Sequence, residues 1–358
     1  MIMEFVIKSV MYVVAVFIIL SLMLGWGAYL AAGISSVSAT ETLTIGSYNI
    51  HKASPNNKAG VPDWPLRRDR LINTLEASAA DVVSLQEVSR WKVRKGVTHR
   101  QDVALLASQR GFATVEAELN KCPRPRDCDN TTAIVYQTAN VTIMPNANGL
   151  PSTAKVLNSD VVLTPNPDEN KRAMTWAYFM KSGKPFLVLD IHTDSDKSPL
   201  AEAGRVALGN SLTTYIEGLN NARGLPTIAT FLTGDFNSYK FRQPGGMQKI
   251  LEGNQWGDPY YTAPVKRGER YATINKTPAT AKFNGFPPRP YQYSLKKEPT
   301  RIDYVLYKNA TPLSYETLIK FYDDCTYMQQ RLFKCNFHEE YRLSDHNMVL
   351  GTFNWSVV

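Results

Sequence analysis

Short apolar runs that end or begin in a carboxylate, an amide or an imidazole recur along the chain after residue 40. We predict these runs to be β-strands, at Leu43–Ile50, Asp81–Val88, Thr132–Gln137, Met174–Met180, Phe186–His192, Thr227–Thr233, Ile302–Tyr307 and Asn347–Phe353. Apolar residues at helical spacing predict helices over Pro65–Ala79 and Leu200–Leu219. Many strands with few helices between them indicate two packed sheets flanked by helices, an α+β fold.

The first 39 residues differ from the rest. No charged residue occurs from Ser9 to Gly33, and Lys8 precedes this run. Val37 and Ala39 have the spacing of a signal-peptidase site. The run is also long enough to cross a bilayer. Residues 1–39 are therefore either a cleaved signal peptide or an uncleaved membrane anchor, and in both cases residues 40–358 form one exported domain, secreted or periplasmic.

The four cysteines form two local pairs, Cys122 with Cys128 and Cys325 with Cys335. In an oxidising compartment, an even number of cysteines at short spacing predicts two disulfides. A zinc site is the alternative, but no CxxC spacing or flanking histidine accompanies these residues.

Eight polar residues lie at the ends of the predicted strands. Five follow apolar runs and three precede them: Asn49, Glu87, His192, Asp235 and Asn237, then Asp303, Asp345 and His346. If the second group lies on strands antiparallel to the first, all eight meet at one edge of the sheets. In "TGDFNS", the strand is expected to stop at Gly234, and Asp235 and Asn237, two residues apart in an extended chain, are expected to point the same way. Each residue alone has a structural explanation, as a turn or a cap, but eight at matching ends indicate a site.

The residue types restrict the chemistry. Carboxylates and amides without cysteine are hard oxygen ligands, which suit Mg²⁺, Mn²⁺ or Ca²⁺ rather than zinc. Histidines add groups that titrate near neutrality. A hard metal with imidazole and carboxylates is suited to attack on a phosphate ester. No GxxxxGK phosphate loop occurs, and Ser84 and Ser344 lack a GxSxG elbow, so nucleotide triphosphate use and serine hydrolysis are weaker alternatives.

Six segments in order, "SYNIH", "SLQEV", "LDIHTDS", "TGDFNS", "RIDYVL" and "LSDHNMV", resemble the endonuclease/exonuclease/phosphatase superfamily, which has the deoxyribonuclease I-like fold. The resemblance covers about residues 43 to 354. It implies a four-layer α/β/β/α sandwich, with helices outside two packed mixed sheets and the site at one sheet edge.

The resemblance also implies roles for the residues of the site. Glu87 resembles the principal metal ligand, with Asn49 beside it and Asp345 as a further ligand. His346 resembles the base that activates water, and Asp303 the carboxylate that orients it. His192 resembles a phosphate-contacting or acid histidine, and Arg172 resembles a phosphate-binding arginine. Asp235 and Asn237 resemble the pair that handles the nucleophile or leaving group and holds a phosphoryl oxygen. AP endonucleases lack the histidine at position 192, which disfavours that branch.

The substrate stays open among the reactions of the superfamily. A basic segment after Glu87 holds Trp91 and the cations Arg90, Lys92, Arg94, Lys95 and Arg100, and the chain has a net charge of +8. Such a segment beside a metal site fits a nucleic-acid backbone, although a solvated charged loop is equally consistent. We predict a metal-dependent nuclease. One alternative is a phosphoinositide phosphatase, which the absence of a "CDRIL"-like motif disfavours. A second is a sphingomyelinase-type phospholipase, for which the sequence reveals no exposed aromatic hairpin. A third is a non-catalytic binding or toxin-like module. No protein partner is inferred, and the membrane is a partner only through the N-terminal segment.

Overall fold

A computed structural model of the 358-residue chain describes residues 41–54, 61–115, 132–147, 149–157, 161, 172–239, 246–269, 272–274, 301–318 and 343–355. The chain divides into two units, Met1–Glu41 and Thr42–Val358, and the second contains nearly all of these residues. The predicted signal or anchor segment and all four cysteines lie outside the described residues. Within those residues, no helix has both the length and the apolar character needed to cross a membrane.

The described part of the chain contains fifteen strands and five helices. The strands are β1 (Leu43–Asn49), β2 (Val82–Gln86), β3 (Lys92–Arg94), β4 (Val97–Thr98), β5 (Phe112–Thr114), β6 (Ala133–Gln137), β7 (Thr142–Ile143), β8 (Thr153–Leu157), β9 (Ala173–Lys181), β10 (Lys184–His192), β11 (Ala229–Asp235), β12 (Val265–Arg267), β13 (Asp303–Lys308), β14 (Thr311–Leu318) and β15 (Met348–Asn354). The helices are α1 (Trp64–Ala77), α2 (His99–Ser108), α3 (Pro199–Ala222), α4 (Met247–Gly253) and α5 (Pro259–Thr262).

The strands form two mixed sheets and a small hairpin. The first sheet has the order β12-β14-β15-β1-β2-β6-β5, and the second has the order β13-β11-β10-β9-β7, with β8 also paired to β9. β1 runs parallel to β2 and antiparallel to β15. β10 runs parallel to β11, which is antiparallel to β13. The strands that end in polar residues are therefore antiparallel to those that begin with them, which is the condition under which the polar residues meet at one edge.

Alternation along the strands builds four layers. In β10, Phe186 and Val188 pack between the sheets, whereas Leu187, Leu189 and Ile191 pack outward in the cluster that includes the apolar face of α3. This is the two-residue period of a strand that is covered on both faces. On the first sheet, the outward residues pack in the cluster that contains the apolar side chains of α1 and α2. The predicted α/β/β/α sandwich is confirmed.

Helix starts follow from the local sequence. Pro65 and Pro199 occupy the first turns of α1 and α3, where the missing amide hydrogen costs nothing. Thr98 and Gln101 form a capping box at the start of α2. That helix was not predicted, although Val103 and Ala107 form a short apolar face on it that packs in the core. Strand β14 was missed because Pro312 interrupts it, and the pairing with β15 shifts register there.

The strand before Asp235 does not stop at Gly234, contrary to the prediction. β11 continues through Gly234 to Asp235 and pairs with β10 along its whole length. Gly234 has φ +140°, and a Cβ atom at this position would lie 1.9 Å from the carbonyl oxygen of Ile191. Only glycine permits this backbone approach. The residue therefore brings two parallel strands together directly below the site.

We expect Gly234→Ala to lower the free energy of unfolding by at least about 2 kcal/mol, because the new methyl group meets backbone atoms that cannot move aside. The matched control is Gly218→Ala in α3, where the added Cβ meets nothing within 4 Å. That change should raise stability by about 0.5–1 kcal/mol, since alanine is the better helix former. Urea denaturation measures both, and a Gly234→Ala variant as stable as wild type would contradict the steric argument.

Candidate active site

The layer between the sheets changes from apolar to polar along its length. At one end the inward side chains include Leu43, Ile45, Val82, Phe186, Val188 and Phe231. Further along the same inward faces lie buried polar residues, namely Ser47, Asn49, Ser84, Gln86, Asp190, His192, Thr233 and Asp235. Asp303, at the start of β13, pairs with Asp235. The polar edge predicted from the strand ends is therefore present, and it is buried rather than fully open.

Asp235 lies at the centre of this edge. The residue is 1% exposed. One oxygen, Oδ2, accepts a hydrogen bond from Asn49 Nδ2 at 3.0 Å and lies 3.5 Å from His192 Nε2 and 3.7 Å from His346 Nε2. Burial and the neighbouring Asp303 raise the pKa of Asp235 above its usual range. A carboxyl group in this state is suited to proton transfer near neutral pH.

His346 is held by Asp303. Its Nδ1 lies 2.9 Å from Asp303 Oδ2 and 3.1 Å from Oδ1, which leaves Nε2 on the side of Asp235. Burial alone would lower the pKa of His346, but the carboxylates of Asp303 and Asp235 outweigh it and raise the pKa to about 10. The neighbouring carboxylates therefore favour the protonated imidazole when no cation is bound.

Glu87 reaches the site through an unusual backbone conformation. It follows β2, in which Val83 and Leu85 face the outer helices, so a regular strand would point Glu87 outward as well. Instead it has φ +63°, and its carboxylate lies 3.4 Å from Asn49 Nδ2 and accepts the backbone N–H of Lys52 at 2.9 Å. Left-handed non-glycine residues are strained and concentrate at functional sites.

Asn237 is placed differently from the prediction. It does not continue an extended chain from Asp235, because its φ is +45°. Its backbone N–H donates to Asp235 Oδ1 at 2.9 Å, and its side-chain amide donates to the carbonyl of Thr193 at 3.0 Å. The two side chains therefore do not point the same way; they form an Asx-type turn that fixes the Asp235 carboxylate.

His192 and Arg172 form a buried pair beside Asp235. The guanidinium Nη1 of Arg172 lies 3.3 Å from His192 Nε2 and 3.4 Å from Nδ1. Arg172 Nη2 also lies 3.5 Å from Ser195 Oγ and 4.0 Å from Asp194 Oδ1. The structure thus places the predicted phosphate-binding arginine next to the carboxylate cluster.

Two residues at the site were missed from the sequence. His51 Nδ1 lies 3.0 Å from Asp345 Oδ1 and 3.9 Å from Glu87 Oε2. Its position two residues after Asn49 repeats the spacing that had singled out Asp235 and Asn237, so the same rule could have found it. Asp345, predicted as a metal ligand, lies with His51 rather than with the Asp303–His346 pair.

The second missed residue is Arg67 on α1, which is 1% exposed. Its guanidinium donates to the carbonyls of Ile50 (2.5 Å), His51 (2.5 Å), Pro62 (3.0 Å) and Leu343 (2.8 Å). These bonds tie the segment after Asn49 to the segment before His346. Nothing in the sequence reveals this role, because it depends on a tertiary contact.

The basic segment after Glu87 is a hairpin followed by a helix, not a loop. Trp91, which is 42% exposed, precedes the hairpin, and Lys92 and Lys95 are exposed on it. Arg94 lies 2.9 Å from Asp102, a buried acid of α2. Arg90 is half-buried and Arg100 lies within α2. Lys92 and Lys95 are thus exposed cations of this segment, whereas Arg94 has an ionic partner within the protein.

A second polar row lies directly below the catalytic edge. Asp190 is fully buried, and burial holds its pKa well above the usual range; one oxygen accepts from Gln86 Nε2 at 2.6 Å. Lys155 donates to the carbonyl of Thr132. Burial, with a contribution from Arg100 and against the opposing charge of Asp190, lowers the pKa of Lys155 to about 7. These ionisable groups lie in the same inter-sheet layer as the site.

The donor set fits a divalent cation. Ligand atoms of Asp235, Asp303 and His346 all lie within 4.8 Å of one another. Asn49 connects this group to Glu87. Carboxylate oxygens with imidazole nitrogen and no thiolate suit ions from Mg²⁺ to the first-row transition metals. The tightest grouping therefore consists of residues that the sequence assigned to catalysis, adjacent to the predicted ligands Glu87 and Asn49.

Comparison with known proteins identifies the family. The sequence profile of the Endonuclease/Exonuclease/phosphatase family matches residues 46–346, and the chain belongs to this family. The family is hydrolytic and generally dependent on divalent metal. Among curated proteins, no relative matches the chain.

Solved structures share the fold. A family member from Bacteroides vulgatus has 18% identity and a TM-score of 0.59, and the match covers 87% of this chain and 98% of that one. The mannosyl-6-phosphatase of Bacteroides thetaiotaomicron has 19% identity and a TM-score of 0.58, with 86% and 98% covered. D. rerio TDP2 complexed with a single-strand DNA product has 15% identity and a TM-score of 0.53, with 87% and 99% covered. At these identities the likeness establishes the fold alone.

We expect Arg67→Lys to lower the free energy of unfolding by about 2–4 kcal/mol, because a lysine ammonium cannot reach four carbonyls and leaves buried acceptors unpaired. The control is Arg70→Lys on the same helix, where the guanidinium donates an exposed hydrogen bond to the carbonyl of Leu66. That variant should stay within about 0.5 kcal/mol of wild type. If chemical denaturation gave the two variants equal stability, the stabilising role of the four Arg67 hydrogen bonds would be contradicted.

Proposed function

We propose that the protein is a divalent-metal-dependent phosphodiesterase and that its substrate is nucleic acid. The observation that carries the hydrolytic part is the convergence of Asp303, His346 and Asp235 within a few ångströms on three different strands or strand ends. Such a grouping of buried charges is costly to fold, and chains retain it where it serves chemistry.

The electrostatics suggest how the proton moves. His346 Nδ1 is held by Asp303 at 2.9 Å, and the neighbouring carboxylates raise the pKa of the imidazole, which favours a role as hydrogen-bond donor; the Asp235 carboxylate, which faces His346 Nε2 at 3.7 Å, is the group placed to accept a proton. We therefore assign the proton of the attacking water to Asp235, and to His346, backed by Asp303, a hydrogen bond to a phosphoryl oxygen. This reverses the role that the family resemblance implied for His346.

The remaining residues bind and orient. Arg172 and His192 form one wall of the site, where two nitrogen-bearing groups suit the anionic oxygens of a phosphate. Asn49 and Asn237 fix the carboxylate of Asp235 from either side. Glu87, with the predicted ligands Asn49 and Asp345, would hold the divalent ion, which would supply positive charge against the charge on the phosphoryl oxygens.

Nucleic acid is favoured by the surface next to Glu87. Trp91, Lys92 and Lys95 are exposed on and beside the β3–β4 hairpin, so an aromatic face and positive charges stand together. This combination suits stacking on a base and contact with a backbone. Among proteins of this fold, TDP2 has been seen with a single-strand DNA product.

We further propose that the protein acts outside the cytoplasm. The uncharged segment from Ser9 to Gly33 is the support, with the paired cysteines as a second sign of an oxidising compartment.

A phosphomonoesterase is the second candidate. Arg172 and His192 are both buried beside Asp235, and a cation fixed in this way would hold the extra charge of a terminal phosphate. One protein of this fold is a mannosyl-6-phosphatase.

The test offers purified protein four substrates in parallel: supercoiled plasmid, single-stranded oligonucleotides, sugar phosphates and sphingomyelin or phosphoinositide liposomes, each with Mg²⁺, Mn²⁺ or chelator. We expect metal-dependent cutting of nucleic acid. His346→Asn should lower the rate by at least about a hundredfold, the scale of a lost catalytic group.

Gly218→Ala, remote from the site, serves as the folded control and should cut at the wild-type rate. Phosphate release from sugar phosphates without cutting of nucleic acid would contradict the nuclease proposal and support the monoesterase. Activity that survives both chelator and His346→Asn would contradict the proposed site.

A further inference from the structure

His99, the first residue of α2, is buried against two segments that border Glu87. It is 0% exposed, and its ring packs edge-on against Trp64 with 4.2 Å between the ring centroids. Its Nδ1 lies 3.4 Å from the backbone nitrogen of Ala53, and 3.3 Å and 3.2 Å from the backbone nitrogen and Oγ of Ser89. One ring nitrogen thus contacts both the segment after β1 and the segment after β2.

The direction of these contacts defines the state of the ring. Backbone N–H groups can only donate, so Nδ1 is the acceptor for Ala53 and Ser89 and carries no proton itself. The proton of the neutral ring is then on Nε2. Burial, followed by the neighbouring Arg67 and His51, lowers the pKa of His99 well below its usual range, which favours the same neutral ring.

Both segments that Nδ1 contacts act on Glu87. Ala53 follows Lys52, whose backbone N–H donates to Glu87 Oε2 at 2.9 Å. Ser89 follows Glu87 by two residues, and Glu87 itself has φ +63°. This conformation is strained in a non-glycine residue and persists only where the surroundings hold it. The contacts of His99 therefore restrain the backbone on both sides of the Glu87 carboxylate.

Backbone bonds at the start of α2 hold the segment after Glu87 as well. The N–H of His99 donates to the carbonyl of Trp91 at 2.7 Å, and the N–H of Arg100 donates to the carbonyl of Ser89 at 3.0 Å. These two bonds do not use the side chain at position 99. The imidazole adds the link to Ala53 and an acceptor for the N–H of Ser89.

We propose that His99 is a positioning residue for Glu87, whose carboxylate it holds in the orientation for binding a divalent ion through the backbone of Ala53 and Ser89. The inference rests on the proposed metal-dependent function, in which Glu87 is a ligand. Replacing a residue that orients a ligand without touching the ion typically costs about 10- to 100-fold in metal affinity or activity. A ring that only filled space beside Trp64 would change stability without a specific effect on metal binding.

Two substitutions separate the acceptor from the packing. Asparagine keeps a carbonyl oxygen close to the position of Nδ1, whereas leucine has nearly the same shape and no acceptor. Both remove the ring beside Trp64, so the lost packing is common to His99→Asn and His99→Leu. Thermal melting in chelator measures the stability of each variant, and calorimetric titration of the full chain with Mn²⁺ measures the affinity.

We expect His99→Leu to bind Mn²⁺ at least about tenfold more weakly than wild type, and His99→Asn to stay within about threefold of it. Because His99 acts through Glu87, adding His99→Leu to Glu87→Gln should weaken binding by less than about threefold, the non-additivity of coupled residues. If packing alone were responsible, the two His99 variants would weaken binding equally, and His99→Leu would have the same effect with or without Glu87→Gln. That pattern would contradict the inference.

A further measurement needs no variant. Long-range ¹H–¹⁵N spectra of the wild-type protein, in chelator at neutral pH, report which nitrogen of His99 carries the proton, and we expect Nε2. A proton on Nδ1, or equal Mn²⁺ affinity of His99→Leu and wild type, would overturn the inference and leave the metal-dependent hydrolase intact. Failure of the wild-type protein to bind Mn²⁺ or Mg²⁺ would overturn the inference and the proposed function together.

Discussion

The carboxylate of Asp235 is buried between two sheets, and groups from separate parts of the chain hold it there. Asn49 from β1 and the backbone of Asn237 donate to its two oxygens, while His192 and His346 lie within 3.7 Å of Oδ2. Asp303 sits directly across the strand pair. No one of these segments could hold the carboxylate in place alone, so the site exists only when the whole sandwich has formed.

Two features of the architecture make this convergence possible. Strands alternate inward and outward side chains, so polar residues at every second position share the inter-sheet layer. Mixed pairing then brings strands that end in polar residues beside strands that begin with them. Gly234 allows β10 and β11 to approach closely enough, and Arg67 ties together the segments that follow β1 and precede β15. Both residues act through contacts with backbone atoms.

The same burial that builds the site makes it electrostatically unfavourable in the absence of a cation. Asp235 and Asp303 are both about 1% exposed, and burial, together with their mutual repulsion, raises the pKa of Asp235. The imidazole of His346 offsets part of this charge. A divalent ion would offset more, so metal binding and proton affinity at this edge are linked.

Much of this could be read from the sequence, and the rest could not for identifiable reasons. Short apolar runs with polar ends were sufficient for eight of the fifteen described strands and for the shared edge, because these follow from periodicity and chain direction, whereas the four-layer order was implied by the family resemblance. The roles of Asn237 and Glu87 depend on left-handed backbone conformations, which local composition does not reveal. Arg67 was hidden because its partners are main-chain carbonyls distant in sequence. His51 was accessible to the same spacing rule that found Asp235.

The most direct test of the account is the titration of the Asp235 carboxyl itself, followed by NMR of protein labelled with ¹³C at aspartate and assigned with Asp235→Asn. We predict a pKa above the ordinary carboxyl range in chelator, because burial and Asp303 oppose ionisation. Saturating Mg²⁺ or Mn²⁺ should lower that pKa, since a nearby cation favours the carboxylate. A resonance that titrates at the ordinary value of about 3.9 and does not respond to divalent ions would contradict the central claim that this buried carboxylate organises a metal-dependent site.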